Sequence, residues 1–462
     1  MGNTIKKNME QSNSLRNKFN TFFKKVDLSS TLKKASIVKY EGVSAMKIFK
    51  IILLLIFTGK NWYQQLNDDQ KSFDFSKDVV YRFLKCLRFN WELLLLETAT
   101  KLIERIASLT KKTREKVLIV DDSYYDRNRS KKVELLARVY DHVTNKYVKG
   151  YRMLVVAWSD GNTVVPLTSQ LLSSTNEKNI LFPVKNIRKR YVHAITRRQN
   201  ARKDSVTMLL ETIKKIKEVR LSFKYLLMDS WFAFPKTITK LMQLNVPVIA
   251  MLKRMPNVFY EYQKKKLNLI SLYSKTKSKL KKNRNKYSIL IKLYDSELKK
   301  SIPAKIVFVF DEKNRKEWIA LITTDTELPD DEVIRIYGKR WGIEVCFKIV
   351  KSYLGLAKEF MGRSFDMLTA HTVIVFFRYC MLALESRENK DDRTMGDLFY
   401  FHCDELEDIS FHEALLLIID FLKMMLKKYF SISGKKIQSF MDDFLNSLPA
   451  IFRLGKFKLC ET

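Results

Sequence analysis

The sequence predicts a mixed α/β fold flanked by helical regions. Three observations carry that expectation. Glycine (12) and proline (8) are scarce among 462 residues, which removes collagen-like and low-complexity classes and leans the chain towards helix. Hydrophobic residues make up 46%, enough to bury cores along most of the length. Between Lys116 and Arg254, β-branched and aromatic runs alternate with helical stretches.

Residues 1–110 read as helices and are expected to form a DNA-binding region. The plainer alternative is that these amphipathic helices only pack a core. The apolar run Ile51 to Phe57 falls far short of the ~20 residues of a spanning helix, so Met46 to Thr58 reads as a buried helix. Ser76 is placed to cap a helix through Val80 and Leu84, and the next helix starts at Trp91. From Lys116 the texture changes. Val117 to Asp121, Leu135 to Val143 and Tyr151 to Gly161 read as three strands, expected to be antiparallel neighbours. A basic helical stretch, Lys185 to Lys217, precedes a fourth strand, Tyr225 to Phe232. A helix from Pro235 to Leu244 leads to a fifth strand, Val246 to Lys253.

Three strands, helix, strand, helix, strand is the order of a ribonuclease H-like fold, a mixed five-stranded sheet flanked by helices. Residues 111–254 are then the first part of a catalytic domain. Residues 255–329, with strands at Tyr287, Ala304 and Trp318 after a Lys-rich link, form a β-rich insertion. A long helix from Asp330 to Leu354 returns the chain to the catalytic domain over 330–370. Residues 371–462 read as helical, with apolar faces at His371 to Glu385 and Phe411 to Leu426 that suit dimerisation.

Charge narrows the partner. Lys+Arg number 85 against 50 Asp+Glu, a formal charge of +35 that repels itself unless something anionic is bound. Nucleic acid is the first candidate and an anionic membrane surface the second. The basic residues concentrate near the N-terminus (Lys6 to Lys34), at Lys185 to Lys203 and at Lys264 to Lys286, as expected for contacts along a duplex. The five cysteines are scattered, which argues against a disulfide scaffold or a Cys-based zinc site and fits a reducing compartment. The polar start lacks the apolar core of a signal peptide, so a cytoplasmic, nucleoid-associated protein without a membrane is expected. The five histidines show no metal spacing, and no Ser sits in a triad-like context.

The acids that interrupt apolar elements are the chemical candidates. Asp121 and Asp122 stand at the end of the first strand, Asp229 at the end of the fourth, and Glu344 on the long helix. In a ribonuclease H-like sheet the first and fourth strands are neighbours, which sets the aspartates side by side. Like charges at that range need a proton or a cation between them. Carboxylates without Cys or His nearby suit Mg²⁺ or Mn²⁺. A metal pair ~3.5–4 Å apart can serve phosphodiester cleavage. Tyr337, Arg340, Glu344 and Lys351 follow at spacings that hold one helical stripe at ~100° per residue. Gly338 and Gly342 lie inside this helix, each at a cost of ~1 kcal/mol, as expected where backbone approaches another chain or a ligand.

At these residues the sequence resembles bacterial DDE transposases of insertion-sequence family four, cut-and-paste enzymes with a Tyr-Arg-Glu-Lys signature. The match is Tyr337-x2-Arg340-x3-Glu344-x6-Lys351, together with Asp121-Asp122-Ser123 and Met228-Asp229-Ser230. The resemblance spans roughly residues 116–370. It implies Asp122, Asp229 and Glu344 as the catalytic metal ligands, with Asp121 as the alternative to Asp122. It implies two Mg²⁺ ions, replaceable by Mn²⁺. Tyr337, Arg340 and Lys351 would hold phosphates of the transposon end, and Lys253 and Arg254 resemble a basic pair near the cleaved end. Met251 stands where some members carry Arg. Trp318 matches a tryptophan that stacks on a flipped base in hairpin-forming members, and reads equally as a strand residue filling the insertion's core. The implied activity is cleavage at terminal inverted repeats through a hairpin, then strand transfer into target DNA by a homodimer. A DNA-binding protein that has lost catalysis, a metal-dependent nuclease without strand transfer, and a peripheral membrane protein are the alternatives.

Overall fold

A computed structural model describes residues 20–56, 62–63, 75–111, 113–141, 146–279, 285–295, 299–311, 317–360 and 362–388, together with 426, 437, 439 and 440. The apolar face expected at Phe411 to Leu426 lies outside these residues except for its last position, as do Lys6, Lys7, Arg16 and Lys18.

The N-terminal region is helical where described and includes α1 (Leu28–Lys34), α2 (Ala45–Leu55), α3 (Asp78–Leu84) and α4 (Trp91–Ser108). Helix α2 is the apolar segment noted above, and its Ile48, Phe49, Ile52 and Leu53 are buried. Ser44 caps it through its side chain, 3.2 Å from the Lys47 amide. The expected Ser76 cap does not form. Lys77 occupies the cap position of α3 without a side-chain hydrogen bond, and Ser76 offers only its carbonyl to the Val79 amide. Asn90 caps α4, accepting from the Leu93 amide at 3.1 Å.

The strands are β1 (Val117–Asp126), β2 (Ala137–Asp141), β3 (Lys146–Ser159), β4 (Val164–Leu172), β5 (Tyr225–Met228) and β6 (Val248–Met251). After them come β7 (Phe259–Tyr262), β8 (Lys265–Asn268), β9 (Lys286–Asp295), β10 (Lys300–Phe310) and β11 (Trp318–Thr323). Helices α5 (Val192–Asn200), α6 (Ser205–Glu218), α7 (Pro235–Gln243), α8 (Leu269–Thr276), α9 (Asp330–Gly338), α10 (Trp341–Ser352) and α11 (Phe365–Glu388) complete the described elements.

The strands form one mixed sheet. The order β4-β3-β1-β5-β6 has antiparallel β4-β3-β1 and parallel β1-β5-β6. That order is consistent with a ribonuclease H-like fold. The five-stranded expectation needs three corrections. Strand β4 is additional to the predicted set. It is buried along its whole length, so it shows no alternation, and Pro166 and Gln170 mask it. Pro166 is accommodated at a register irregularity against β3. Strand β2 pairs only with the outer end of β3, Lys146 to Gly150, as a hairpin arm. The insertion's strands extend the same sheet, because β11 pairs antiparallel with β6, giving eleven strands in all.

Two features fix the face that carries the acids. Strand β1 does not end at the aspartates but runs to Asp126 along β3, while its pairing with β5 stops at Val120–Met228. The expected long helix is two helices, α9 and α10, separated at Lys339 and Arg340. Gly338 closes α9. At Gly342 a Cβ would stand 2.5 Å from Val164 Cγ2, so this glycine lets α10 press on β4. The close approach expected there is made to a strand of the same chain.

Helix α11 is long and apolar enough to cross a membrane by length and composition, yet 83% of its most apolar window is buried inside the fold. Phe377 of α11 meets Phe22 and Phe49 edge-on at 5.5 and 5.1 Å, which ties the N-terminal helices to the same core.

Candidate active site

The register of β1 and β5 brings the aspartates together. Val120 pairs with Met228 in parallel, so the next residues, Asp121 and Asp229, stand alongside each other where β5 ends. Asp229 accepts the Trp231 amide at 3.0 Å, which turns the chain away from the sheet. Helix α10 packs beside β1 and carries Glu344.

Consecutive strand residues point to opposite faces, and this separates the two adjacent acids. Asp121 Oδ2 meets Arg340 at 3.2 Å, and the same guanidinium binds Glu344. Ser123, on the face of Asp121, accepts Lys351 Nζ at 2.6 Å. Asp122 points the other way, where Oδ1 meets Arg152 at 2.7 Å. Its Oδ2 is buried with no hydrogen-bond partner among the described residues.

The electrostatics of the acids are set by burial and by their mutual repulsion. Burial pushes the Asp121 carboxyl up to about 7, and Asp229, Asp122 and Glu344 add to the rise against the attraction of Arg340. Burial also raises Asp229, with Asp122 adding to it. Glu344 is raised by burial and by Asp229, while Arg340 opposes. No three acidic, His or Cys side chains among the described residues are drawn together as a ready-made metal cage. The donor set nevertheless fits Mg²⁺ or Mn²⁺: Asp121, Asp229 and Glu344 offer carboxylate oxygens, and their charges repel one another.

This arrangement predicts a pH effect of defined sign. An acid raised from 3.8 to about 7 binds its proton more tightly in the folded chain. Its contribution to stability is therefore present at low pH and lost as pH rises between those values. In chelator, Asp121→Asn is expected to raise the melting temperature at pH 8 and leave it nearly unchanged at pH 4. Mg²⁺ should stabilise the wild type more at pH 8 than at pH 5. Calorimetry checks both, and equal Mg²⁺ stabilisation at the two pH values would remove the acids from cation binding.

The structure gathers the remaining predicted residues unequally. Tyr337 lies beside Arg340, its ring centroid 5.9 Å from the guanidinium carbon, and burial pushes its hydroxyl up to about 12. Burial lowers Lys351 from the ordinary lysine range. Lys253 and Arg254 are exposed after β6, and Arg254 donates to the Trp318 carbonyl. Trp318 is only 6% exposed. Tyr273 stacks on it at 4.5 Å, Arg254 covers it at 4.1 Å and Phe308 meets its edge at 5.4 Å. Of its two readings, the geometry is that of a core residue of the insertion, since no indole face is left open for a base.

The basic run at Lys185 to Lys203 is likewise divided. Arg188, Lys189 and Arg190 are exposed. Arg197 and Arg198 turn inward to Asp366 and Glu134. Arg202 and Lys203 pair with Glu177 and Glu211. No pattern in the sequence points to Arg152 or Trp231, which the structure sets beside Asp122 and Asp229. The only signal for Trp231 was its position two residues after Asp229.

Two family models match the chain: DDE superfamily endonuclease over residues 63–267, and Transposase DDE domain over residues 184–381. Both support a DDE-type transposase. The first match includes Asp121, Asp122 and Asp229, and the second includes Asp229 and Glu344. No curated protein matches the chain significantly. The matches thus support a transposase-type DNA endonuclease, in a class that generally uses divalent metals and binds DNA.

Proposed function

We propose that this chain cuts DNA at transposon ends and joins the freed end to target DNA, as the resemblance to insertion-sequence family four implies. The observation that carries the reading is Arg340 bridging Asp121 and Glu344, with Asp229 alongside Asp121 where β5 ends. Asp121, Asp229 and Glu344 would hold two Mg²⁺ ions, or Mn²⁺ in their place. The contact of Asp121 with Arg340 supports Asp121 as the first ligand, and Asp122, on the opposite face, is the alternative. Bound ions of this kind activate the attacking oxygen and stabilise the leaving one.

The chain's own residues do the rest. The acids are half-buried, and their pull on a cation is screened less there than in open water. Arg340 bridges Asp121 and Glu344, and its fork matches a phosphate once the acids have another counter-charge. Lys351 and Tyr337 flank it as further phosphate contacts. In hydrolysis a water oxygen bonds to phosphorus, the bond from phosphorus to the 3′ oxygen breaks, and the 3′-OH is freed. That hydroxyl would attack the opposite strand to give a hairpin. Water would then open the hairpin, freeing the 3′-OH again and leaving a 5′-phosphate on the other strand, and that hydroxyl would attack target DNA; hairpin formation and joining each exchange one phosphodiester bond for another. The helical N-terminal region would bind DNA, and a homodimer would hold two ends.

The test is incubation of the purified protein with DNA from either side of its gene and Mg²⁺ or Mn²⁺. Nicks, hairpins and joined products are expected, lost in Asp121→Asn and retained at a reduced rate in Asp122→Asn. Nicks alone would reduce the activity to that of a nuclease. Binding without any nick would overturn the reading.

A further inference from the structure

A cavity of about 480 Å³ lies where three separate stretches of chain meet. Helix α3 supplies Tyr81, and Lys85 follows its last turn. Lys185 comes from the stretch before α5, while Arg363, Ser364 and Met367 belong to the entry into α11. None of these residues is part of the acid site. The volume falls within the ~300–1,000 Å³ of small-ligand sites.

The charge around the cavity is one-sided. Lys85, Lys185 and Arg363 are exposed, and none of the three pairs with an acid among the described residues. Their backbones are nonetheless held. The Arg363 carbonyl accepts the Glu134 amide at 3.0 Å, and the Glu134 carboxylate accepts the Lys185 amide at 3.1 Å. The Lys85 amide donates to the Tyr81 carbonyl at 3.1 Å, and its ammonium lies 5.9 Å from that ring's centroid. The acids bonded to these segments are already taken. Arg198 binds both Glu134 and Asp366, and the Ser364 hydroxyl donates to Asp366 at 3.2 Å.

Three like charges around one cavity repel one another unless an anion enters. A phosphate brings both the charge and the acceptor oxygens for two ammonium groups and a planar guanidinium. Tyr81 and the buried Met367 wall the space, so an anion inside is screened less than on an open surface.

We propose that this cavity binds a phosphate group, held by Lys85, Lys185 and Arg363. The backbone of a DNA strand and a free phosphorylated small molecule share that chemistry. As a DNA contact the site rests on the DNA-cutting function proposed above. It would tie one strand to the N-terminal helices and to the start of α11 at once, a positioning contact that carries no sequence information.

The experiment compares the wild type with Lys185→Gln/Arg363→Gln. The control is Lys131→Gln/Lys132→Gln, which removes the same charge from exposed residues outside the cavity. In the DNA arm, binding is measured in Ca²⁺ to duplexes from either side of the gene, with one phosphate at a time replaced by a neutral methylphosphonate. One position should weaken the wild type about tenfold and leave the cavity variant unaffected, and that variant should lose about one unit of salt slope. The control should keep that position's effect. In the free-ligand arm, melting is followed in chelator with sodium phosphate against sodium chloride of equal ionic strength. Phosphate stabilisation lost only in the cavity variant, with no coupled DNA position, would assign the cavity to a free phosphate ligand. If the double variant does not fold, Lys185→Gln and Arg363→Gln are used singly. No coupled position and equal phosphate stabilisation in all three chains would overturn the site, as would a control that loses the same effects. A wild type that shows either effect yet makes no nick would leave the site standing and overturn the cutting function.

Discussion

Glu344→Gln is expected to bind DNA as the wild type does and to lose cleavage by about 10³-fold or more, roughly 4 kcal/mol of barrier. Glutamine keeps the shape and removes the charge. Arg340 retains Asp121 at 3.2 Å, so the helix stays docked. What is lost is one of the oxygens that concentrate a cation between α10 and β1. Binding should hold because it depends on the positive surplus across the chain, and removing one negative charge does not weaken it. The pairing of results is the discriminating feature: gel shift unchanged, nicking gone. Cleavage at the wild-type rate would sink the site assignment.

The second large effect lies away from the chemistry. Arg198→Met is expected to cost about 3–5 kcal/mol of stability. Arg198 donates to Glu134 at 2.7 and 2.9 Å and to Asp366 at 2.6 and 2.9 Å. Glu134 also takes the amides of Lys185 and Phe365, both at 3.1 Å. One guanidinium thus joins the loop before β2, helix α5 and the first turn of α11. Without it Glu134 is a buried charge held only by two amides. Asp366 keeps Arg197 at 2.7 Å. Chemical denaturation should show the loss. Arg198→Met combined with Glu134→Gln should recover part of it, because the orphaned charge is gone. An Arg198→Met chain as stable as the wild type would mean that this network does not hold the loop.

Much of this was legible in the residues, for reasons of pattern. Val117 to Val120, Tyr225 to Met228 and Ile306 to Phe310 are β-rich apolar runs, and each is a strand. An acid that breaks an apolar element stands out, as Asp121, Asp122 and Asp229 do after strand runs and Glu344 does on a helix. Strand β4 was not legible, because a strand buried on both faces has no alternation and this one carries Pro166 and Gln170. The break between α9 and α10 was not legible either. Tyr337 to Lys351 keeps helical spacing through it, so the stripe survives while the axis does not.

The division has a physical basis. The sequence by itself determined the kind of partner, since a formal charge of +35 needs no fold to attract a polyanion. It determined the chemical class as well, through acids of the right type in apolar settings. Only tertiary structure decided direction. Whether Asp121 or Asp122 faces α10 depends on the pleat of β1, which alternates by one residue and leaves no mark in composition. Whether Trp318 or Trp231 is exposed depends on packing: Tyr273 and Arg254 cover the first, while 42% of the second is exposed with Arg152 over its ring. Whether a basic residue meets DNA or closes a core depends on a buried acid far away in sequence, as Arg198 shows with Glu134 and Asp366. Residue type sets what a side chain can do, and packing sets which of its neighbours it does it with.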